Sequence, residues 1–427
     1  MLDIERARAQ FPALAMTLDD GRPCVFLDNP AGTQVPRRVI DAVTTYYTSS
    51  NANTDGAFLT SRRNDNTVEQ ARQAMADLLN APEPDCIVFG PNMTTLTFAI
   101  SRAIGRDLGP GDEILCTTLD HDANIAPWLA LEEDRGVRVQ LVDIKPDDGT
   151  LDMDDFARKL SPRTRVVAAT CASNALGTIT DAARIARMAH DAGALVWFDA
   201  VQYAAHGLID VRALDCDFLA CSAYKFFGPH MGIVYGKREH LERLRPYKVR
   251  PSSDTIPDRW ETGTGNFEGM AGTANAVDYL ASLGAGVEAA RGVASRRAWI
   301  EAAMGEIKAY ERELGARLIA SLREIEGVTI YGITDPARFD HRVPTVAVTL
   351  AGYTPREVAE RLGDEGIFVW SGNYYALAVM ERLGLEGRGG AVRIGPVHYN
   401  TPAEIDRTLA ALRALAAERT LAGTPRV

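Results

Sequence analysis

Between residues 85 and 236 the sequence alternates short apolar runs with longer stretches of helical periodicity. Seven runs rich in β-branched and aromatic residues predict strands, at "CIVFG", "EILCTT", "VRVQLVDI", "RVVAAT", "ALVWFD", "DFLACSA" and "GIVYG". Helices are predicted between them at "TLTFAISRAIGR", "ANIAPWLALEEDRG" and "DAARIARMAHDAG". This repetition implies right-handed crossovers and a mostly parallel sheet that is covered on both faces. Ligands bind such sheets beyond the carboxyl ends of the strands, so we expect functional residues there.

The C-terminal part of the chain predicts a second, smaller α/β domain. Residues 280–326 are rich in Ala, Glu, Arg and Leu at helical spacing and predict helices that lead into it. Strands are predicted at "VTIYGI", "TVAVTLAG", "IFVW" and "AVRIG", with a helix near "PREVAERLGDEG" and a closing amphipathic helix that starts at Thr401 and Pro402. We therefore divide the chain into an N-terminal segment and large domain over residues 1–290, and a helical connection and small domain over residues 291–427.

The charge and hydropathy pattern exclude several classes of function. A net charge of −11 over 427 residues argues against a nucleic-acid or anionic-membrane partner, since both require a positive surface. No apolar run approaches the roughly 18 residues that a membrane span requires. The charged N-terminus does not resemble a signal peptide, so we predict a cytoplasmic protein.

The six cysteines form no CxxC pair and lie mostly in strand-like runs, which favours buried, reduced thiols. The segment "DHDAN" is too short to form a zinc site by itself, so we predict no metal. The cysteines are Cys24, Cys86, Cys116, Cys171, Cys216 and Cys221.

Lysine is scarce in this chain, and one lysine has an unusual position. The segment "CSAYKFFGPHMGIVYG" places Lys225 after a predicted buried strand and before a Gly-Pro turn. Such a lysine can be a solvated loop charge. Alternatively, desolvation and a nearby cation can make its amine reactive enough to form a Schiff base. The residues at the other strand ends decide between the two interpretations.

Those strand ends carry the groups that pyridoxal phosphate chemistry requires. Asp199 ends "ALVWFD" and could keep a pyridine nitrogen protonated, while Asn174 in "SNALGT" could bond a ring hydroxyl. Thr94 and Thr95 fall at a predicted helix N-terminus, where backbone N–H groups and hydroxyls bind phosphate. Asp199 and the pair of threonines could instead cap helices. Their occurrence together with Lys225 favours a pyridoxal phosphate site.

The chain resembles the cysteine desulfurase and selenocysteine lyase branch of the class V aminotransferases over nearly its whole length. The matching stretches are "FLDNPAGTQVP", "DHDANIAPW", "SNALGT", "FDAVQ", "DCDFLACSAYKFFGP", "WETGTGN" and "AVRIGPVHYNTPAEID". The resemblance implies a large pyridoxal phosphate (PLP)-dependent transferase-like α/β domain with a mostly parallel seven-stranded sheet, and a smaller C-terminal α/β domain. It also implies a homodimer with active sites at the subunit interface.

For the cofactor ring, the resemblance assigns a role to five residues. Lys225 would form the Schiff base with pyridoxal 5'-phosphate and act as general base, and Asp199 would partner the pyridine nitrogen. Gln202 and Asn174 would contact the region of the ring hydroxyl. His121 would stack on the ring.

For the phosphate and the substrate, the resemblance assigns further residues. Thr95 and Ser222 would hold the phosphate, together with the neighbouring Thr94. Thr264 would reach the phosphate in the partner subunit's site. Arg393 would bind the substrate α-carboxylate, a bidentate task that suits its planar guanidinium, although an arginine at a strand end could also form an ion pair.

Two positions depart from the family pattern. Tyr224 stands where the family has a histidine before the lysine, so the histidine's task in phosphate or proton handling is done either by a phenol or not at all. In "VWSGNYYA", which resembles the loop of the nucleophilic cysteine, Tyr375 occupies the cysteine's place. Because tyrosine cannot carry sulfane sulfur, this loop argues against the usual persulfide route. Asn373 and Tyr374 are predicted to contact the substrate.

These residues favour β-elimination from an L-amino acid with a leaving group at the β-carbon, such as a cysteine S-conjugate, its sulfoxide or selenocysteine. Tyr374 or Tyr375 would either protonate the leaving group or line the pocket. An aminotransferase and an amino-acid epimerase are alternatives, as is an inactive partner module in sulfur transfer. Arg62 and Arg63 could bind an acidic substrate side chain, but a solvated charge run is the simpler interpretation. The substrate side chain stays undetermined.

Overall fold

The computed structural model describes residues 2–287 and 295–422, with the side chains of the last helix described to residue 418. The domain boundary that we predict between residues 290 and 291 lies outside the described residues. None of the helices in the described ranges is long and apolar enough to cross a membrane.

The strands, in chain order, are β1 Val25–Phe26, β2 Ile87–Gly90, β3 Glu113–Thr117, β4 Arg138–Val142, β5 Ile144–Lys145, β6 Thr150–Leu151, β7 Thr164–Thr170, β8 Leu195–Asp199, β9 Phe218–Ser222, β10 Gly232–Gly236, β11 Val328–Tyr331, β12 Val346–Leu350, β13 Ile367–Phe368, β14 Trp370–Gly372 and β15 Ala391–Ile394.

The α-helices are α1 Ile4–Arg8, α2 Arg37–Ser49, α3 Leu59–Leu79, α4 Met93–Gly105, α5 Ala126–Arg135, α6 Met153–Lys159, α7 Ala182–Asp191, α8 Val211–Leu214, α9 Arg238–Arg243, α10 Phe267–Gly284, α11 Arg296–Leu322, α12 Pro355–Asp364, α13 Leu377–Arg382 and α14 Pro402–Ala422.

The large domain is built on a seven-stranded sheet with the order β2-β10-β9-β8-β7-β3-β4. β10 runs antiparallel to both of its neighbours, and the pairings from β9 to β4 are parallel. Each of the seven predicted runs forms one of these strands, which confirms the predicted mostly parallel sheet. The register pairs Thr170 with Asp199 and Asp199 with Ala220, so β7, β8 and β9 end at nearly the same level.

Both faces of this sheet are buried, as a parallel sheet requires. In β8, Val196 and Phe198 pack into one apolar core, and Trp197, which points to the opposite face, packs into the other. Trp197 meets Trp128 of α5 edge to face, with ring centroids 5.8 Å apart. The sheet is therefore held rigidly between two helical layers, and its carboxyl edge is a fixed platform.

The small domain contains an antiparallel sheet of order β11-β12-β15-β14, with its own apolar core. The prediction of one strand at "IFVW" is wrong, because the run is divided at Val369 between two sheets. β13 pairs in parallel with β1, with Val25 opposite Ile367, and β14 pairs with β15, with Trp370 opposite Arg393. The first strand of the N-terminal segment therefore packs on the small domain.

Candidate active site

A cavity of about 240 Å³ lies where β7, β8 and β9 end, between the N-terminus of α4 and the loop after β14. Most of the predicted site residues line it together. They are Thr94, His121, Asn174, Asp199, Gln202, Ser222, Tyr224, Lys225, Tyr374, Tyr375 and Arg393. Residues that are up to 299 positions apart in the chain therefore meet at one edge of the sheet, as the strand-end argument predicts.

Three predicted residues lie outside this cavity. The backbone N–H of Thr95 donates to Asn92 Oδ1 at 2.8 Å, and the Thr95 side chain is exposed. Asn373 supports the loop from within, since its Oδ1 accepts from the backbone N–H of Tyr375 at 3.0 Å. Thr264 lines a separate surface cavity of about 400 Å³. A role for Thr264 in the partner's site stays a prediction.

Lys225 ends a short helical turn, Ala223–Lys225, that follows β9. Its Nζ donates to the backbone carbonyl of Pro30 in the N-terminal segment. Burial and the positive charge of Arg393 lower the pKa of the Lys225 amine to about 7, against the opposite effect of Asp199. A large fraction of this amine is therefore neutral near pH 7, which is what a nucleophile or general base requires.

Asp199 is the last residue of β8 and is buried. Its Oδ1 accepts a hydrogen bond of 2.8 Å from the backbone N–H of Val201. Burial raises the pKa of the carboxyl group to about 6, although the charge of Lys225 opposes the shift. A protonated ring nitrogen beside this carboxylate would stabilise its charged form, so the group suits the predicted role.

His121 is held as a neutral ring. Its Nδ1 accepts a hydrogen bond of 3.0 Å from the backbone N–H of Ala123, which places the ring proton on Nε2. Burial, Lys225 and Arg393 lower the pKa of His121 to about 4. The ring of Tyr375 stacks on it, with centroids 5.7 Å apart. A neutral, flat imidazole of this kind can stack on a cofactor ring without adding charge.

The N-terminus of α4 provides the candidate phosphate site, and two of its residues were missed by sequence reasoning. Asn92 caps the helix, and the backbone N–H of Met93 donates to Ser222 Oγ at 3.2 Å. Both residues line the cavity. Gly232 allows this close approach, because a Cβ there would lie 2.2 Å from the Asn92 backbone. The signal was available in "GPNMTT", since asparagine is a strong N-cap residue.

Tyr224 precedes the lysine and packs against one aromatic ring and the lysine amine. Its ring stacks on His230 with centroids 5.0 Å apart, and the Lys225 Nζ lies 4.8 Å from the ring centroid. Burial raises the pKa of its phenol. The phenol therefore stays neutral at physiological pH.

Arg393 in β15 is the candidate carboxylate ligand. It is buried, and its Nη1 donates to the Asn174 backbone carbonyl at 3.0 Å, while its Cζ lies 4.4 Å from the ring centroid of Tyr374. Burial lowers the pKa of the guanidinium to about 10, so it stays charged at neutral pH. Neither Arg393 Nε nor Asn174 Oδ1 has a hydrogen-bond partner in the described part of the chain. Buried unpaired polar atoms at a cavity fit a site that is completed by a polar ligand.

The loop after β14 has an unusual backbone. Tyr374 and Tyr375 are consecutive non-glycine residues at positive φ, +58° and +56°. The carbonyl of Tyr374 accepts from Asn174 Nδ2 at 3.0 Å, and that of Tyr375 accepts from the backbone N–H of Asp122 at 2.6 Å. The Tyr374 hydroxyl donates to the Ala391 carbonyl. The large domain thus holds the loop in a conformation that is locally unfavourable.

None of the six cysteines, all of which lie in the described part of the chain, lines the cavity, and all six are buried. Burial raises the pKa of the Cys86 thiol to about 11 and affects Cys116 and Cys171 in the same direction. Arg62 and Arg63 donate to backbone carbonyls and lie outside the cavity. No group of three His, Cys, Asp or Glu residues within the described ranges is arranged to hold a metal.

The fold and the site together define the class of PLP-dependent enzymes with this transferase-like architecture. The chain belongs to the aminotransferase class-V family, whose model matches residues 25–408. This family uses pyridoxal phosphate, which confirms the predicted cofactor. The residues present fit it, because an acid, an amine, a neutral flat ring and a helix N-terminus converge on one cavity that contains unpaired polar atoms.

Similar proteins are named cysteine desulfurases. The chain is 35% identical to a cysteine desulfurase of Synechococcus elongatus over an alignment of 425 residues. This alignment covers 96% of this chain and 63% of the relative. It is 34% identical to a probable cysteine desulfurase of Mycolicibacterium paratuberculosis, of which it spans 58%, and 33% identical to a cysteine desulfurase of Dickeya dadantii, of which it spans 96%. The apo structure of a cysteine desulfurase from Thermococcus onnurineus superposes with a TM-score of 0.85 at 28% identity, covering 98% of this chain and 99% of that one.

Proposed function

We propose that this protein is a PLP-dependent lyase that catalyses β-elimination from an L-amino acid without a cysteine persulfide. The observation that carries the proposal is the loop at the cavity mouth, which presents Tyr375 at the position where the family resemblance places a cysteine. All six cysteines are buried away from the cavity. A thiolate acceptor for sulfur would have to come from elsewhere, whereas elimination needs none.

The residues that would hold the cofactor follow from the site. Asp199 would accept from the ring nitrogen, His121 would cover the ring, and Gln202 would face the ring hydroxyl. The N-terminus of α4, with Thr94 and Ser222, would hold the phosphate. The bound cofactor supplies an electron sink that stabilises negative charge at the substrate α-carbon.

The chain's own groups would bind the substrate and move its proton. Arg393 would bind the α-carboxylate, since its Nε is unpaired and its charge persists at neutral pH. The ring of Tyr374 lies against the guanidinium and fixes its position. The amine of Lys225, with a pKa of about 7, is matched to the task of removing the α-proton.

The mouth of the cavity indicates the kind of leaving group. The Tyr374 hydroxyl is engaged with the Ala391 carbonyl and burial raises its pKa, so Tyr375 is the better candidate for a proton donor. Trp370 and Tyr375 line the cavity with 50% and 73% of their surface exposed. Two exposed aromatic rings suit a flat, apolar leaving group, so we favour an aryl S-conjugate of cysteine over selenocysteine.

The test is a product assay with a panel of S-substituted cysteines. We expect pyruvate from S-phenyl-L-cysteine, with a visible absorption change of the bound cofactor, and slower turnover of S-methyl-L-cysteine. Tyr375→Phe should lower kcat for S-methyl-L-cysteine by about tenfold or more if the phenol donates the proton, because an alkyl thiolate is a more basic leaving group than an aryl thiolate. Unchanged kcat would assign it to the pocket wall.

Other products would overturn the proposal. Alanine from cysteine would restore the desulfurase reaction, and an absorption change without pyruvate would indicate the aminotransferase or epimerase alternatives. Protein that binds no cofactor would favour the inactive partner module.

A homodimer is part of this proposal. Thr264 lines a surface cavity of its own chain beside Asn53 and Ser252, apart from the active-site cavity. Exposed Tyr47, Phe58 and Leu59 leave apolar surface in this half of the molecule that a second copy could cover. Sedimentation at twice the chain mass would support the dimer, and a monomer would remove the role of Thr264. The cytoplasmic location stays a prediction.

A further inference from the structure

A buried polar chain lies behind the cofactor cavity and touches it through Gln202. The amide of Gln202 lines the cavity, and its Nε2 lies 3.2 Å from His206 Nε2 and 3.1 Å from Thr345 Oγ1. Thr345 directly precedes β12 of the small domain. One terminal atom of the Gln202 amide is therefore held by two side chains, and the other terminal atom is free to face the cavity.

This row of buried polar side chains continues from His206 to an acidic residue. His206 Nδ1 lies 2.7 Å from Glu311 Oε2, and the two residues expose 5% and 2% of their surface. Glu311 belongs to α11, and its Oε1 has no hydrogen-bond partner within the described ranges. Burial raises the pKa of this carboxyl group, while the charge and hydrogen bond of His206 and a backbone hydrogen bond from His398 oppose the shift. Of these groups, only His206 can supply a full positive charge. A carboxylate in this position depends on His206 for compensation.

No other cationic side chain described near Glu311 is placed to compensate its carboxylate, which leaves His206. His206 and Glu311 line a second, small cavity together with Lys308 and Arg312, but these two cationic residues lie at the surface. The buried guanidinium of Arg342 is used by backbone carbonyls, among them that of Thr345 at 2.6 Å. The neighbouring phenol of Tyr203 has its pKa raised by burial and is neutral.

His398, the other buried histidine nearby, is also neutral. Burial and His206 lower the pKa of His398 to about 3. Its Nε2 is 2.5 Å from the Tyr279 hydroxyl, a contact that involves neither His206 nor Glu311. His398 therefore does not supply the missing positive charge.

We propose that His206 and Glu311 form a buried ion pair that orients the Gln202 amide so that its NH₂ group faces the cofactor. With both ring nitrogens protonated, His206 donates from Nδ1 to Glu311 and from Nε2 toward Gln202. The group it meets on Gln202 must then be the oxygen, which a half-turn of the amide provides without moving other atoms. Thr345 Oγ1 can donate to the same oxygen.

Two other charge states exist. If Glu311 is protonated, it donates to Nδ1 of a neutral His206, and the proton on Nε2 still meets the Gln202 oxygen, so the amide keeps the same orientation without an ion pair. The second state gives the opposite orientation. A neutral His206 that donates to Glu311 leaves Nε2 as an acceptor, so Gln202 would give it an N–H and present its oxygen to the cavity. That state buries an uncompensated carboxylate, which is costly. His206 and Glu311 are thus positioning residues, which decide whether the cofactor's ring oxygen meets a donor or an acceptor.

The charge state can be measured directly by ¹⁵N NMR on histidine-labelled protein, in the apoenzyme and the holoenzyme. We expect both ring nitrogens of His206 to show protonated shifts near pH 7.5, and Glu311→Gln to return one of them to the unprotonated range. Glu313→Gln, on the exposed side of the same helix, is the matched control and should change nothing. An unprotonated Nδ1 or Nε2 in the unsubstituted protein would overturn the ion pair, and only an unprotonated Nε2 would also reverse the orientation of Gln202.

The effect on the cofactor is read from its absorption as a function of pH. Losing a donor to the ring oxygen should raise the pH midpoint of the cofactor band by about one unit in Glu311→Gln, and equally in Gln202→Ala. A shift in Gln202→Ala alone would sink the positioning role. If neither variant shifts the midpoint, Gln202 does not contact the cofactor ring. This inference rests on that contact, which is part of the proposed function. The NMR result on the ion pair would still hold. Melting temperatures should confirm that each variant folds.

Discussion

The strand ends and the loop after β14 contribute to the same cavity in different ways. At the strand ends, Asp199 and Lys225 are held by regular elements that pack on both faces, and burial displaces their pKa values. In the loop, Tyr375 is mostly exposed, and it sits beside Tyr374 at positive φ. The cofactor groups are therefore fixed by the core of the fold, whereas the position of the two loop tyrosines depends on a few hydrogen bonds.

This difference indicates where function can change without loss of the fold. A non-glycine residue at positive φ costs on the order of 1–3 kcal/mol, which the bonds to Asn174 and Asp122 must offset. A loop of this kind can accept new side chains as long as those two backbone contacts persist. The carboxyl ends of the strands have no such freedom, because Asp199, Gln202 and Ser222 are buried within packed layers.

The largest loss of turnover is expected from a substitution at the carboxyl ends of the strands. Lys225→Ala removes the proposed base and the amine that would join the cofactor, so turnover should fall by about 10²–10⁴-fold. Borohydride reduction followed by mass spectrometry of the intact protein should no longer trap a covalent cofactor. Lys145→Ala, at the exposed position of β5, should retain both turnover and the trapped adduct. A trapped adduct in Lys225→Ala would show that another lysine carries the cofactor.

A smaller effect, on substrate binding, is expected from a substitution in the loop after β14. Tyr374→Leu removes the ring that packs 4.4 Å from the Arg393 guanidinium, while the anchoring backbone carbonyl at residue 374 is retained. A desolvated cation–π contact is worth about 2 kcal/mol, so KM should rise by about 30-fold. Tyr374→Phe keeps the ring, loses only the hydroxyl contact with Ala391, and is the matched control. If kcat falls and KM does not change, Tyr374 acts on the reaction step and not on Arg393.

The sequence predicted the sheet edge well because its signals are local. Each strand is a short apolar run, and Asp199 and Lys225 can be recognised from the strands that precede them. The divided run at "IFVW" could not be predicted, since its pairing with β1 depends on residues more than 300 positions away. The contact of His206 with Glu311 spans 105 positions and joins a loop to a helix, so no periodicity reveals it. The loop conformation is equally hidden, because tyrosine gives no signal for positive φ.

The smallest expected effect is the pH dependence of cofactor uptake, which tests whether burial tunes the Lys225 amine. With a pKa of about 7, the Lys225 amine is about one-tenth neutral at pH 6 and about nine-tenths neutral at pH 8. The rate at which apoenzyme takes up pyridoxal phosphate should therefore rise about tenfold over this range and then level off, after correction with a simple alkylamine. An amine with an ordinary pKa near 10.4 would continue to gain about tenfold per unit to pH 10. Because Asp199 raises the pKa of Lys225, Asp199→Asn should move the plateau to lower pH. A rate that still climbs at pH 9 would show that burial does not tune this lysine, and the distinction between a core-fixed sheet edge and a loop held by hydrogen bonds would lose its main chemical support.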